Sequence, residues 1–224
     1  MRLYLTQKRV LIFKNKAREF LNGLTSNAMD APQNAFLNIH GKIVATFDQI
    51  LVSDDEIWVI LEPEYIDPVQ EHISRYLKLA RVEVLEPEQH VYFDCDGDAS
   101  VDDDDKIVVQ KQGRLIITAK EREANISDEE FLAFRVQHQM PQLGTDYRDD
   151  FVLNVSPKDF VSFNKGCFLG QEPVSKVHNR SKPTWRLVVK LLSECSKEEA
   201  VAATSVVENK DTGQKQGFVF EKNN

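Results

Sequence analysis

The chain has only three cysteines among its 224 residues, Cys95, Cys167 and Cys195, and they lie far apart. An odd number of cysteines at wide spacing does not form a disulfide framework, so we expect a reducing, cytoplasmic environment. Iron–sulfur clusters are generally held by several cysteines, often at short spacings that this sequence lacks. The sequence therefore predicts no permanently bound metal or cluster.

Long apolar runs and an excess of positive charge are also missing. No run approaches the length needed to cross a bilayer, and residues 1–9 are too few and too polar for a secretory signal. The 28 lysines and arginines are outnumbered by 36 aspartates and glutamates, which gives a net charge of −8. Duplex nucleic acids are bound mainly by neutralising phosphates, so this charge disfavours direct, stable nucleic-acid binding. We expect neither a membrane nor a nucleic acid as a partner.

The chain does contain short strand patterns mixed with a few helical ones. Apolar periodicity predicts strands at 9–14, 35–39, 42–52, 56–61, 81–85, 91–93, 107–109, 115–117, 185–192 and 216–220, and helices at 16–24, 67–79 and from Ser127 toward Pro141. Because regular βαβ alternation is absent, the pattern indicates an α+β fold. Asn179, Ser181 and Pro183 interrupt it, which predicts a boundary near residues 175–184.

The most informative segment is an octet at residues 165–172, Lys-Gly-Cys-Phe-Leu-Gly-Gln-Glu. Gly166 and Gly170 allow the main chain to approach a ligand or to turn tightly. Lys165 would draw Cys167 toward the thiolate, which is the reactive form of a cysteine. We therefore expect Cys167 to be partly exposed at the wall of a cleft.

The last two residues of the octet and its cysteine leave several interpretations open. Gln171 and Glu172 provide the mixed donors and acceptors that recognise the polar edge of a ring. Cys167 is an inert buried residue, a metal ligand or a reactive thiol. A Cys–His–Asn protease signature is absent, and His178 is expected to be a polar surface residue.

Two charged segments each have a functional and a plain interpretation. Residues 94–105 resemble a calcium loop, but Ala99 replaces the glycine of the sharp turn and Asp105 replaces the longer glutamate. The flanking patterns are strands rather than helices, which favours a solvated acidic loop. Residues 165–190 contain six basic residues and one acid, Glu172. They form either a solvated face or a site for a polyanionic ligand, and we expect Trp185 to pack in a C-terminal core.

The octet resembles the Lys-Gly-Cys-Tyr-x-Gly-Gln-Glu signature of the YgfZ-like folate-binding proteins, with Phe168 in place of the tyrosine. These proteins are relatives of the glycine-cleavage aminomethyltransferase. Residues 20–27, 37–43 and 135–146 are similar to further stretches of the family, and they occur in the same order. The resemblance covers most of residues 10–190.

The resemblance implies a body of two related mixed α/β halves with the aminomethyltransferase folate-binding fold. The halves would span about 1–88 and 89–178, and residues 179–224 would form a shortened, barrel-like C-terminal β unit. It also implies a folate-binding accessory factor for the assembly or repair of iron–sulfur enzymes, with an indirect link to tRNA modification. The implied partners are a folate and iron–sulfur client or assembly proteins, in a bacterial cytosol rather than a mitochondrial matrix.

The implied ligand is tetrahydrofolate or a derivative. Cys167 and Lys165 are the candidate catalytic residues, as an exchanging thiol and the cation that activates it. The basic stretch would meet the glutamate tail of the folate. The candidate ligand-binding residues are Gln137, Gln171, Glu172, Gly166, Gly170, Thr46 and Arg135.

Two departures from the family pattern affect the expected activity. The aminomethyltransferases carry an aspartate on the strand after Gly41 that helps to position tetrahydrofolate, and counting from Gly41 places Thr46 there. They also carry a glutamate two residues after the arginine, where this chain has Gln137. An amide still hydrogen-bonds a pterin edge, but more weakly than a carboxylate. These changes disfavour aminomethyl transfer, leaving a one-carbon transferase and a non-catalytic interaction scaffold as alternatives.

Overall fold

The computed structural model describes residues 1–209 and 212–223. Its strands are β1 (Leu3–Leu5), β2 (Arg9–Lys14), β3 (Gln33–Leu37), β4 (Ile43–Ser53), β5 (Glu56–Leu61), β6 (Glu83–Leu85), β7 (His90–Asp94), β8 (Lys106–Val109), β9 (Arg114–Thr118), β10 (Trp185–Leu191), β11 (Thr204–Glu208) and β12 (Lys215–Lys222). Its helices are α1 (Ala17–Leu24), α2 (Ile66–Ala80), α3 (Asp128–Gln137), α4 (Val152–Val155), α5 (Pro157–Phe160), α6 (Gln171–Arg180) and α7 (Lys197–Ala202). The predicted mixture of strands and helices is confirmed. No helix in the described ranges has both the length and the apolarity needed to cross a bilayer.

The largest sheet has five antiparallel strands in the order β3-β4-β5-β2-β6. Successive side chains of a strand point to opposite faces, and both faces of β2 are buried. Leu11 and Phe13 join a core shared with α1 and α2. Val10 and Ile12 join a second core shared with the other large sheet. This sheet is therefore packed between helices and a second sheet.

The second sheet has four strands in the order β1-β7-β9-β8. Phe134 of α3 packs against its apolar residues. The two sheets do not follow a division of the chain at residue 88, because β1 pairs with β7 while β2 lies in the first sheet. In addition, residues between 143 and 174 pack in the core of the first sheet. Strands of one sheet are thus supplied from both sides of the predicted boundary.

Three predictions for the C-terminal region are corrected. Among the described residues, the last three strands form an open antiparallel sheet, β10-β12-β11, rather than the predicted barrel-like unit. Trp185 is 43% exposed because it begins an edge strand, so it does not fill a core. The predicted interruption at residues 175–184 also begins too early, since α6 continues to Arg180.

Candidate functional site

Residues from both large sheets line a cavity of about 330 Å³. Strand β4 contributes Thr46 and Asp48, which share a face because they are two residues apart. Helix α3 contributes Phe131 and Arg135, one turn apart, and residues 139–143 form the adjoining wall. The cavity therefore depends on contacts between segments that are distant in sequence.

A buried ion cluster lies in this cavity. Lys8 Nζ is 3.2 Å from Asp48 Oδ2 and 3.3 Å from Glu62 Oε1, and both carboxylates are buried. Burial alone would lower the pKa of Lys8, but the two carboxylates outweigh it and raise this pKa above its ordinary value. Two carboxylates and one ammonium leave the cluster with one excess negative charge.

Asp48 is one of the cavity residues that sequence reasoning missed. Besides the ion pair with Lys8, its Oδ1 accepts hydrogen bonds from Gln110 Nε2 at 2.7 Å and from Gln33 Nε2 at 3.2 Å. Gln110 follows β8, so this bond joins the second sheet to the first. Counting from Gly41 places Thr46 at the position of the family's aspartate, and the structure places both Thr46 and the Asp48 carboxylate, two residues further along β4, in the cavity lining. Strand alternation along β4 was the signal that could have revealed it.

Thr46 itself makes a short contact within the cavity. Its hydroxyl lies 2.6 Å from the Tyr147 hydroxyl, and both residues are buried. Burial raises the pKa of Tyr147, so the phenol remains protonated at neutral pH. The pair keeps a neutral, hydrogen-bonding wall beside the charged cluster.

Aromatic rings form another part of the cavity wall. Tyr4 and Phe131 are stacked with ring centroids 4.1 Å apart, and Phe93 lies 5.2 Å from Phe131. Burial, together with a hydrogen bond to Asp128, raises the pKa of Tyr4 to about 12. The cavity thus combines apolar ring surfaces with buried carboxylates and amides, which is the usual composition of a small-molecule site.

Arg135 also lines the cavity, and it forms a buried ion pair with Asp146. Its Nη1 donates to Asp146 Oδ2 and to the carbonyl of Met140, at 3.0 Å in each case. The guanidinium is therefore already hydrogen-bonded to other groups of the protein.

Comparison with solved structures identifies the architecture. The chain superposes on the glycine cleavage system aminomethyltransferase T from Bartonella henselae with a TM-score of 0.69 and 10% sequence identity. The superposition covers 98% of this chain and 78% of that protein. The chain has the aminomethyltransferase fold. Altogether, 32 chains of solved structures match it, whereas no protein-family model and no curated protein matches the sequence.

None of the octet residues at 165–172 lines the cavity. Lys165 instead lines an open cleft of about 510 Å³. Its Nζ donates to the carbonyls of Thr25 at 2.6 Å and Asn27 at 2.8 Å, and burial lowers its pKa to about 8. The lysine thus fastens the octet to the segment after α1.

The two glycines of the octet have different surroundings. Gly170 has φ +85°, and a Cβ there would lie 2.4 Å from the carbonyl oxygen of Asn38. A Cβ on Gly166 would meet nothing within 4 Å. Of these two positions, only 170 therefore requires a glycine. Gly170 immediately precedes α6 and packs against the turn between β3 and β4.

Cys167 is exposed, as predicted, but it does not line the open cleft. Gln171 and Glu172 form the first turn of α6, and the Glu172 side chain is exposed. These residues are held near one another by α6 and its N-terminal loop, away from the lining of the cavity. Their predicted contacts with a ligand remain predictions.

Gln137 lies at the end of α3 and is exposed, outside the cavity lining. The reason is geometric, since two residues along a helix turn the side chain by about 200° away from the face of Arg135. The basic stretch does not line the cavity either. Arg186 pairs with Glu221, and Lys190 pairs with Glu199 and Glu221.

The acidic loop is organised by arginines rather than fully solvated. Asp94 is completely buried. Its carboxylate accepts hydrogen bonds from the backbone amides of Gly97 and Ala99 and forms an ion pair with Arg114. Asp105 pairs with Arg122. No group of three or more metal-binding side chains occurs in the parts of the chain that the structure describes.

The pKa of Lys165 predicts a pH dependence of stability. The folded pKa is about 8 and the ordinary value is 10.5, so the unfolded chain binds more protons between these two pH values. The wild type should therefore gain stability relative to Lys165→Met as the pH rises from 8 to 10.5. Urea unfolding of both proteins across this range measures the gain. Lys158→Met, at an exposed position, is the matched control and should show no such trend; a trend of opposite sign at Lys165 would contradict the account.

Proposed function

We propose that this chain is a folate-binding accessory protein of the YgfZ type that supports the assembly or repair of iron–sulfur enzymes. The observation that carries the proposal is the buried cluster of Lys8, Asp48 and Glu62 in a cavity of the aminomethyltransferase fold. The octet signature adds the resemblance to the YgfZ-like family. The ligand would be tetrahydrofolate or a derivative, and the link to tRNA modification would be indirect.

The cavity fits the pterin end of a reduced folate. Its volume of about 330 Å³ lies at the lower end of the range for small-molecule sites. A pterin presents ring N–H and amino donors along one edge, which buried carboxylates accept with charge assistance. Asp48 and Glu62 provide those acceptors, and Tyr4, Phe93 and Phe131 provide ring surfaces. The rest of the folate would leave through the open side of the cavity.

The residues around Asp48 would set the direction of its carboxylate. Lys8 fixes one oxygen and the amides of Gln33 and Gln110 fix the other, so Asp48 is oriented before a ligand arrives. Such preorganisation raises affinity by reducing the ordering cost of binding. The exposed Lys111, which also lines the cavity, is the basic residue placed to meet the anionic tail.

Calorimetric titration with tetrahydrofolate tests the ligand. We expect micromolar to millimolar affinity, and at a hundredfold excess over Kd the ligand should add about 2.7 kcal/mol to stability. Gln110→Ala should weaken binding by roughly tenfold, because Asp48 loses a hydrogen bond that orients it. Gln137→Ala, outside the cavity, is the matched control and should leave the affinity unchanged. Absence of binding by the wild type would favour the scaffold, and loss of binding only in Gln137→Ala would move the site to the position predicted from sequence.

In this accessory role, the Cys167 thiol would contact iron–sulfur client or assembly proteins. Its exposure at the surface, on a loop anchored by Lys165, supports this assignment. Cys167→Ala should abolish support of an iron–sulfur enzyme in cells while folate binding is retained. Cys195→Ala, at a half-buried thiol, is the control. Full support by the Cys167→Ala protein would remove the thiol from the function.

A folate-dependent one-carbon transferase is the second candidate, and Asp48 is the observation that favours it. In this chain, however, the Asp48 carboxylate is paired with an ammonium and two amides, which reduces its ability to stabilise a developing cation. We therefore expect no formation of methylene-tetrahydrofolate from an aminomethyl-lipoyl carrier. Clear turnover by the wild type would make the transferase the preferred function.

A further inference from the structure

We propose that the C-terminal sheet positions the wall of the cavity through Ser205, which acts on Arg135 and Asp146. This inference deepens the proposed function, because the wall belongs to the cavity assigned to the folate. Ser205 lies in β11, whereas Arg135 and Asp146 lie 70 and 59 residues earlier in the chain. Neither Ser205 nor Thr204 lines the cavity.

The hydrogen bonds of Asp146 are complete only when β11 is in place. Its Oδ2 accepts from Arg135 Nη1 at 3.0 Å and from the amide of Gln142 at 2.8 Å. Its Oδ1 accepts from the hydroxyls of Thr204 at 2.8 Å and Ser205 at 2.5 Å. A carboxylate has about four acceptor positions, and here each is used. Two of the four partners come from the C-terminal sheet.

Ser205 touches both members of the ion pair. Its hydroxyl donates to Asp146 and also accepts from Arg135 Nη2 at 3.1 Å. Arg135 in turn donates to the carbonyl of Met140, and Asp146 accepts from the amide of Gln142. Met140 and Gln142 belong to the cavity wall at residues 139–143. The contacts therefore run without a gap from β11 to the wall.

The backbone of β11 is shaped to make these contacts. Ser205 has φ +49°, a left-handed conformation that is strained for a serine, and the register between β11 and β12 shifts between Thr204 and Val207. A Cβ on Gly217 of β12 would lie 2.7 Å from the Thr204 carbonyl oxygen, so a glycine opposite is needed for this irregularity. Strain of this kind persists where the surroundings fix it, and here it turns two hydroxyls toward Asp146.

Hydrogen exchange of the ligand-free protein tests the inference independently of the folate. In Ser205→Ala, the amides of Gln142 and Asp146 should exchange about tenfold faster, because a hydrogen bond to a charged group is lost. Ser205→Gly removes the same hydroxyl but relieves the left-handed strain, so it should be more stable than Ser205→Ala and yet loosen the wall equally. The affinity for tetrahydrofolate should fall by roughly fivefold to tenfold in both variants.

Ser196→Ala is the matched control. It removes the cap of α7 and weakens the same C-terminal unit without touching Asp146. It should leave both the exchange of the wall and the affinity unchanged. Equal loosening of the wall by Ser196→Ala, or unchanged exchange in Ser205→Ala, would overturn the inference. Failure of the wild type to bind tetrahydrofolate would count against the proposed function alone, since the exchange of the wall is measured without ligand.

Discussion

Lys8→Met is expected to destabilise the folded chain by about 3–5 kcal/mol, because it leaves two buried carboxylates without their cation. Asp48 and Glu62 both pair with Lys8 Nζ, and both are buried. Methionine keeps most of the volume of the lysine side chain, so the lost stability measures mainly the removal of the positive charge. Urea unfolding at pH 7 measures it.

The pH dependence separates this effect from lost packing. The raised pKa of Lys8 means that its stabilising contribution is fully present below 10.5 and is lost as the pH rises through the folded value. Methionine has no ammonium to titrate, so the stability deficit of the variant should shrink as the pH rises above 10.5. Lys120→Met, at an exposed pair with Asp102, is the control and should change the stability little, because exposed ion pairs contribute little. A deficit in Lys8→Met that is small, or that does not shrink above pH 10.5, would contradict a buried ion cluster.

Gly170→Ala is expected to destabilise the fold by about 3 kcal/mol or more, because it adds both a backbone collision and left-handed strain. The new Cβ would lie 2.4 Å from the Asn38 carbonyl oxygen and 3.1 Å from the Leu37 Cβ. Both neighbours belong to the first sheet and its turn, which leaves little room for adjustment. Thermal unfolding measures the loss.

Gly166→Ala provides the control within the same signature. Its Cβ would enter open space, so the change should stay within about 0.5 kcal/mol. The pair therefore distinguishes a glycine required by packing from one kept for another reason. Equal stability of the two variants would show that the start of α6 does not dock tightly on the turn between β3 and β4.

The strands of the first sheet were predictable because apolar alternation is strong in that part of the chain. The predicted strands at 9–14 and 56–61 match β2 and β5 residue for residue. Helix α6 was missed because Val174 is its one fully buried residue among the positions described, so the sequence contains no apolar helical repeat. Strand β11 was missed because it is irregular, with a shift in its register to β12 between Thr204 and Val207.

The candidate site was less predictable than the fold. Lys8 and Glu62 are 54 residues apart, and the pairing of β2 with β5 brings them together. Nothing in local sequence indicates such a cluster. Asp48 was accessible to sequence reasoning through strand alternation, but counting from Gly41 selected Thr46 alone. The octet predicted Lys165 and Cys167 as catalytic residues from their residue types and spacing, but neither lines the cavity.

The most direct test of the central claim is a hydrogen-exchange footprint of tetrahydrofolate on the full chain. If the cavity around Lys8, Asp48 and Glu62 is the folate site, the ligand should slow exchange around residues 4–8, 46–48 and 139–143. Residues 165–172 and the cleft lined by Lys165 should be unaffected. Protection confined to the octet or its cleft, with no change around the cavity, would contradict the account and return the site to the residues first indicated by the sequence.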